Sequence, residues 1–161
     1  MSKAFTKEDD GGQLELLPDR VISPHPNLVT AEGLATIEAE IARLTEQHNA
    51  FSAAGDAAAA ASTRRDLRYW SARHATAQVT KPKLGSQVQF GSRVTIRRPD
   101  GSSRTYRIVG TNEGNPKIGK LSYVSPLAQA LLGKEIGDKI KVGASEEEIV
   151  GICKHAEGHD P

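Results

Sequence analysis

From residue 34 to residue 51 the apolar positions recur at intervals of three and four. They are Leu34, Ile37, Ile41 and Leu44, and the stripe continues toward His48 and Phe51. Glu38, Glu40 and Arg43 fall elsewhere on the wheel, so the spacing predicts an amphipathic helix. Thr30 is placed to cap its first turn, and the carboxylate of Glu32 sits where the helix dipole favours negative charge. Gly55-Asp56 is the good breaker of the region and ends this helix. Asp56 can cap a second helix, whose opening run Ala57 to Ala61 consists of strong helix formers. There Leu67, Trp70, His74 and Ala77 form one stripe, and Arg64, Arg65, Arg68 and Arg73 lie largely off it. Two helices with narrow matching stripes and a short turn predict an antiparallel helical hairpin, or coiled coil. A compact bundle would need further helices that the sequence does not supply.

At Lys81-Pro82-Lys83-Leu84-Gly85 the helical period stops, and a period of two follows. Val88, Phe90, Val94 and Ile96 alternate with Gln87, Gln89, Arg93 and Thr95, as on a half-buried sheet. Pro99-Asp100-Gly101-Ser102 is a hairpin turn, and Thr105 to Val109 is the returning strand. After a polar loop from Gly110 to Gly119, Leu121 to Val124 reads as a third strand. Ser125 then caps a short helix through Leu132, with Pro126 in its first turn and Gly133 after its end. Lys139 to Val142 and Glu148 to Ile152 complete an expected antiparallel sheet. The fold class is α+β. Residues 1–29 carry Gly11, Gly12, Pro18, Pro24, Pro26 and the acidic run Glu8-Asp9-Asp10, which predicts an extended or disordered arm. The boundaries are thus arm 1–29, hairpin 30–80, C-terminal domain 81–155 and tail 156–161.

Composition narrows the function. In 161 residues, 37% are hydrophobic and only 4% aromatic. That suits an elongated helical part beside a small compact one better than a single large globule. The net charge of +1 gives no sign of a strongly basic nucleic-acid binder, so a protein partner is the default. Cys153 is the single cysteine; with His155 and His159 it lacks a fourth ligand, which leaves the end of a strand or a plain tail rather than a metal site. The opening Met1-Ser2-Lys3-Ala4-Phe5 has no apolar signal core, and no run of about 18 apolar residues could span a membrane. A cytoplasmic protein is expected.

The series Val88-Gln89-Phe90-Gly91-Ser92-Arg93-Val94-Thr95, Tyr106-Arg107-Ile108-Val109-Gly110, the run from Val124 to Lys134, and Gly137-Asp138 closely resembles the C-terminal domain of the GreA/GreB transcription elongation factors. The start, Met1 to Thr6, is similar to that of GreB, and Ala77-Gln78-Val79 resembles the family's junction. The resemblance implies an FKBP-like C-terminal domain that grips the rim of the RNA polymerase secondary channel, with the hairpin pointing down the channel. Acidic residues at the family's tip help hold Mg²⁺ in the polymerase active site, so that backtracked RNA is cut there. The factor itself is an accessory protein, not an enzyme, and meets nascent RNA and DNA only within the elongation complex. It is expected to be a monomer with no cofactor of its own.

At the tip the chain departs from that pattern. Cleavage-competent relatives carry a motif like Gly-Asp-Leu-x-Glu-Asn-Ala-Glu-Tyr, of which only Gly55-Asp56 are matched before the run of alanines. Alanine cannot ligate a metal or orient water. Asp66 lies ten residues past Asp56, about 15 Å along a helix. The helical arms are also shorter than is usual in the family, by roughly ten residues each, or on the order of 15 Å of reach. Asp56 remains the candidate catalytic residue, with plain N-capping as its other reading. Ser125, Pro126, Leu127, Ala130 and Leu131 match the family's polymerase-binding segment; Leu127 and Leu131 suit packing on the sheet, and Ser125-Pro126 suit contact. Arg64, Arg65, Arg68 and Arg73 read as a solvated face, or as one meeting an acidic polymerase surface or nascent RNA. Two other classes stand beside this one. Prolyl isomerisation would need an aromatic-lined pocket, whereas Phe90, Tyr106 and Tyr123 are ordinary strand residues. Regulation of another protein through the same domain is the third, as in the similar nucleoside diphosphate kinase regulator branch.

Overall fold

The structure, a computed structural model, describes residues 17–154. The GreB-like start, the acidic run Glu8-Asp9-Asp10, and His155 and His159 lie outside the described residues. The chain forms two compact units: one from residues 17–26 with Leu34–Ala77, the other from Asn27–Gly33 with residues 78–154.

In the first unit, α1 (Ala31–Ala53) and α2 (Ala57–Thr76) form the antiparallel hairpin. The α1 stripe is as the spacing predicts. Ile37 and Leu44 are buried, and Leu34, Ile41, His48 and Phe51 are half-buried. Gly55 closes α1 with φ of +72°, a conformation that costs other residues a steric penalty. Asp56 then caps α2, its Oδ1 accepting from the Ala59 N–H at 3.1 Å. His48 lies 3.2 Å from the Ala60 carbonyl oxygen, tying the two helices near the turn.

On α2 the predicted stripe is only partly right. Leu67, Trp70 and Ala77 are half-buried, but His74 is exposed and sits 3.4 Å from Glu38. Arg73, placed outside the stripe by its charge, is 2% exposed. A second side of α2 is covered as well. Asp66 and Tyr69, at i and i+3, lie side by side there, and Arg20 rests on both. Its guanidinium stacks 3.9 Å from the Tyr69 ring centre and pairs with Asp66 at 3.3 Å.

The second unit holds a five-stranded sheet of order β5-β4-β3-β7-β6. Its strands are β3 (Arg93–Arg97), β4 (Ser103–Val109), β5 (Lys120–Ser122), β6 (Lys139–Val142) and β7 (Ser145–Cys153). The sheet is antiparallel except where β5 joins β4 in parallel. The expected all-antiparallel sheet fails there because the loop after β4 crosses back, through a 3-10 turn at Pro116–Ile118, before β5 begins. Val94, Ile96, Tyr106, Ile108, Leu121, Ile140 and Ile149 turn to one face. The helix α3 (Pro126–Leu131) covers them with Ala128 and Leu131. Val88 and Phe90 join this core from an irregular segment rather than from a strand, because Gly91 turns the chain before β3. A short parallel pair, β1 (Leu28–Val29) with β2 (Gln78–Val79), completes the unit. Leu28 and Val29 are thus strand residues, though the proline-rich composition places them in the arm. No described helix is long and apolar enough to cross a membrane.

Candidate functional site

Three surfaces hold the residues singled out in the sequence. The first is the hairpin tip. Phe51, Gly55, Asp56, Ala60 and Arg64 line a shallow depression of about 280 Å³. Asp56 is exposed, and its carboxylate is half engaged by the Ala59 N–H. That cap stabilises α2 by about 1 kcal/mol. Along α2 the next carboxylate is Asp66, which is held by Arg20. Among the described residues, no three His, Cys, Asp or Glu side chains gather as a metal site would need. The tip therefore offers one carboxylate with one free oxygen, a donor set too small to hold a divalent cation unaided.

The second surface is the start of α3. The Ser125 hydroxyl caps the helix, accepting from the Ala128 N–H at 3.4 Å, and Gly133 follows its end with φ of +83°. Pro126 is exposed, while Ser125, Leu127 and Ala130 are half-buried. Leu131 is 0% exposed and belongs to the core. Its burial fits the packing role the sequence allows it beside the family match, because a six-residue helix lying on a sheet must bury one side of each turn.

The third is the cationic side of α2, which is not one solvated face. Arg68 is paired with Asp19 at 2.7 Å, Arg73 is buried, and Arg65 is half-buried with its Nε shut off from solvent. Only Arg64 stands exposed without such a pairing, beside the tip. The Asp19-Arg20 pair thus straps the pre-helical segment to α2 through two opposite ion pairs and a stacked guanidinium. Arg20→Ala is expected to lose about 1 kcal/mol. Trp70, the chain's single tryptophan, lies 5.9 Å from the same guanidinium, so its emission should shift in the variant. An unchanged spectrum would mean that the strap does not form in solution.

Residues absent from the sequence reading lock the start of α1. The Glu113 carboxylate accepts from the Thr30 N–H at 3.1 Å, the Thr30 hydroxyl, and the Gly110 N–H at 2.9 Å. The Thr30 hydroxyl oxygen in turn accepts from the Gly33 N–H at 3.0 Å, which is the predicted N-cap. Glu32, in the same turn, pairs with Arg107 at 3.1 Å. A bond from its own backbone N–H, ahead of the Arg107 charge, holds the Glu32 carboxyl below the usual carboxylate range in spite of partial burial. A depressed carboxyl stabilises the fold above its unfolded pKa, and that share is lost as pH falls through the folded value. Gly33 and Gly110 were the signal available in the sequence. Neither has a positive φ, so neither is needed for a turn, and both are places where another group comes too close for a Cβ.

Residues 81–153 match the family model "Transcription elongation factor, GreA/GreB, C-term". A transcription elongation factor GreA of Legionella pneumophila is 33% identical over 157 aligned positions, covering 97% of that protein but 81% of this chain. That relative therefore carries residues with no counterpart here. A GreA of Rhizobium leguminosarum is 34% identical over 120 positions, covering 74% of this chain and 73% of that protein. Among solved structures, a transcription elongation factor GreA/GreB from Nitrosomonas europaea aligns with a TM-score of 0.40 at 22% identity, over 78% of this chain and 98% of that one.

Proposed function

The chain belongs to the GreA/GreB family of transcription elongation factors, and from that premise we propose that it binds RNA polymerase at the secondary channel and modulates the rescue of backtracked elongation complexes. The factor works as a cytoplasmic monomer. Its C-terminal unit docks through Ser125, Pro126, Leu127 and Ala130 at the start of α3, and its hairpin enters the channel. Backtracked RNA is cut by the polymerase, whose own Mg²⁺ does the Lewis-acid chemistry. A factor that stimulates this step must bring carboxylates to the reacting phosphate.

One observation favours a particular mode of action. Asp56 stands alone at the tip, followed by Ala57 to Ala61, with one oxygen already committed to the Ala59 N–H. A single carboxylate can position a water but cannot complete a metal site. This supports channel occupancy without cleavage: the hairpin limits access to the active site and displaces cleavage-competent factors.

The test is RNA length on a backtracked complex of the cognate polymerase. This protein alone is expected to leave the RNA unshortened, and to suppress cutting by an added cleavage-competent factor. RNA shortening by this protein alone, abolished in Asp56→Ala, would overturn the occupancy mode. Absence of any effect in both arms would remove the secondary channel from the account and leave regulation of another protein. Asp56→Ala should cost α2 its cap, about 1 kcal/mol, so its fold is checked alongside.

A further inference from the structure

The open face of the five-stranded sheet carries a row of cations that the docking surface does not use. Arg93 on β3 lies directly opposite Arg107 on β4, and Arg107 directly opposite Lys120 on β5. Like charges in facing positions repel, so such a row calls for counter-charge. Glu32 supplies one, at Arg107. Among the described residues neither Arg93 nor Lys120 forms an ion pair. Both are half-buried, so water screens them only in part.

The three cations line one depression of about 290 Å³, together with Thr105, Ile118 and Gly119. Neither a carboxylate nor an aromatic ring lines it. The Thr105 hydroxyl is 3.0 Å from that of Thr95, and either can be the donor of the bond between them. Lys117, exposed on the adjoining turn, extends the positive surface beyond the depression.

We propose that this depression binds the phosphate backbone of a nucleic-acid strand, independently of base sequence. A guanidinium fork and an ammonium on either side of Arg107 suit phosphates spaced along a backbone. The row crosses two inter-strand spacings, about 10 Å, and continues toward Lys117, which suits an extended backbone over one compact phosphate. With no ring to stack a base, the contact carries no sequence information. Two uncompensated cations and a net charge of +1 make the binding weak, effective only where a strand is already held nearby.

Anisotropy of a short labelled single-stranded RNA tests this without polymerase, so its failure is separate from any failure of the docking proposal. A Kd on the order of 10⁻⁴ M at ~50 mM salt is expected, with a log–log salt slope of about −1.4 from two phosphate contacts. Arg93→Gln with Lys120→Gln should weaken binding about tenfold or more. Lys139→Gln with Lys141→Gln removes the same charge from the opposite edge of the sheet and should change it less than about twofold. Equal losses in the two pairs would overturn the site in favour of net charge. Equal competition by inorganic triphosphate, phosphate for phosphate, would overturn the strand in favour of a compact anion. Equal competition by polyglutamate would overturn it in favour of an acidic peptide. Should the Arg93 variant fail to fold, lysine acetylation of the unaltered protein decides: RNA should slow modification of Lys120 but not of Lys139, and equal rates would sink the proposal.

Discussion

Replacing Glu113 by alanine is expected to destabilise the protein by about 3–4 kcal/mol, read as a lowered urea midpoint at unchanged slope. The Thr30 and Gly110 N–H groups are both buried, and the Glu113 carboxylate accepts from both. Without it each would lose its acceptor, at about 1–3 kcal/mol apiece, and the bonds lost are charge-assisted. Against a typical total of 5–15 kcal/mol this is a large share. The same carboxylate sets up a sharper test. The three atoms nearest a Cβ on Gly33 would all belong to the Glu113 carboxyl group. Gly33→Ala should therefore be harmful in the native protein. In the Glu113→Ala background it should be neutral or slightly stabilising, because alanine favours helix over glycine by about 1 kcal/mol. Gly110→Ala behaves differently, since its Cβ would also lie 2.5 Å from the Leu28 carbonyl oxygen. That backbone clash survives removal of Glu113, so no rescue is expected. A double-mutant cycle in which Gly33→Ala and Glu113→Ala simply add would refute the latch.

The latch also marks where sequence reasoning stops. Features decided within a few residues were legible. Thr30, Asp56 and Ser125 cap the helices they precede. Asp100-Gly101 makes the turn of the β3–β4 hairpin, with Gly101 at φ of +87°. The Leu34–Phe51 stripe is the buried stripe of α1. Features decided by partners far along the chain were not. Glu113 acts on a threonine 83 residues away, and nothing in its own neighbourhood announces that. Arg68 reads as a free surface cation until Asp19, 49 residues away, is seen paired with it. The parallel β4–β5 pairing depends on the path of the intervening loop, which alternation of side chains cannot give. At the tip the sequence says plainly what is missing, the second carboxylate, because absence needs no partner to be read.

The helix α3 gives the clearest separation of stability from binding. Leu131→Ala is expected to destabilise by about 3 kcal/mol, within the usual 2–5 for a fully buried leucine, because the side chain is sealed among core residues such as Ile108 and Ile149. At a concentration where the variant stays folded, its affinity for polymerase should be unchanged, since no atom of that side chain reaches the surface. Pro126→Glu should do the opposite. Proline at this exposed first-turn position supplies no backbone donor, and a carboxylate there interacts favourably with the helix dipole, so stability should move by less than about 0.5 kcal/mol. If the start of α3 is the docking surface, a buried charge in place of the ring should weaken polymerase binding at least about tenfold, or 1.4 kcal/mol. Native gel shift of the elongation complex reads the affinity, and thermal melting of the free protein reads the stability. Full affinity in Pro126→Glu would detach the docking role from α3 and leave its resemblance to the family as a matter of core packing alone.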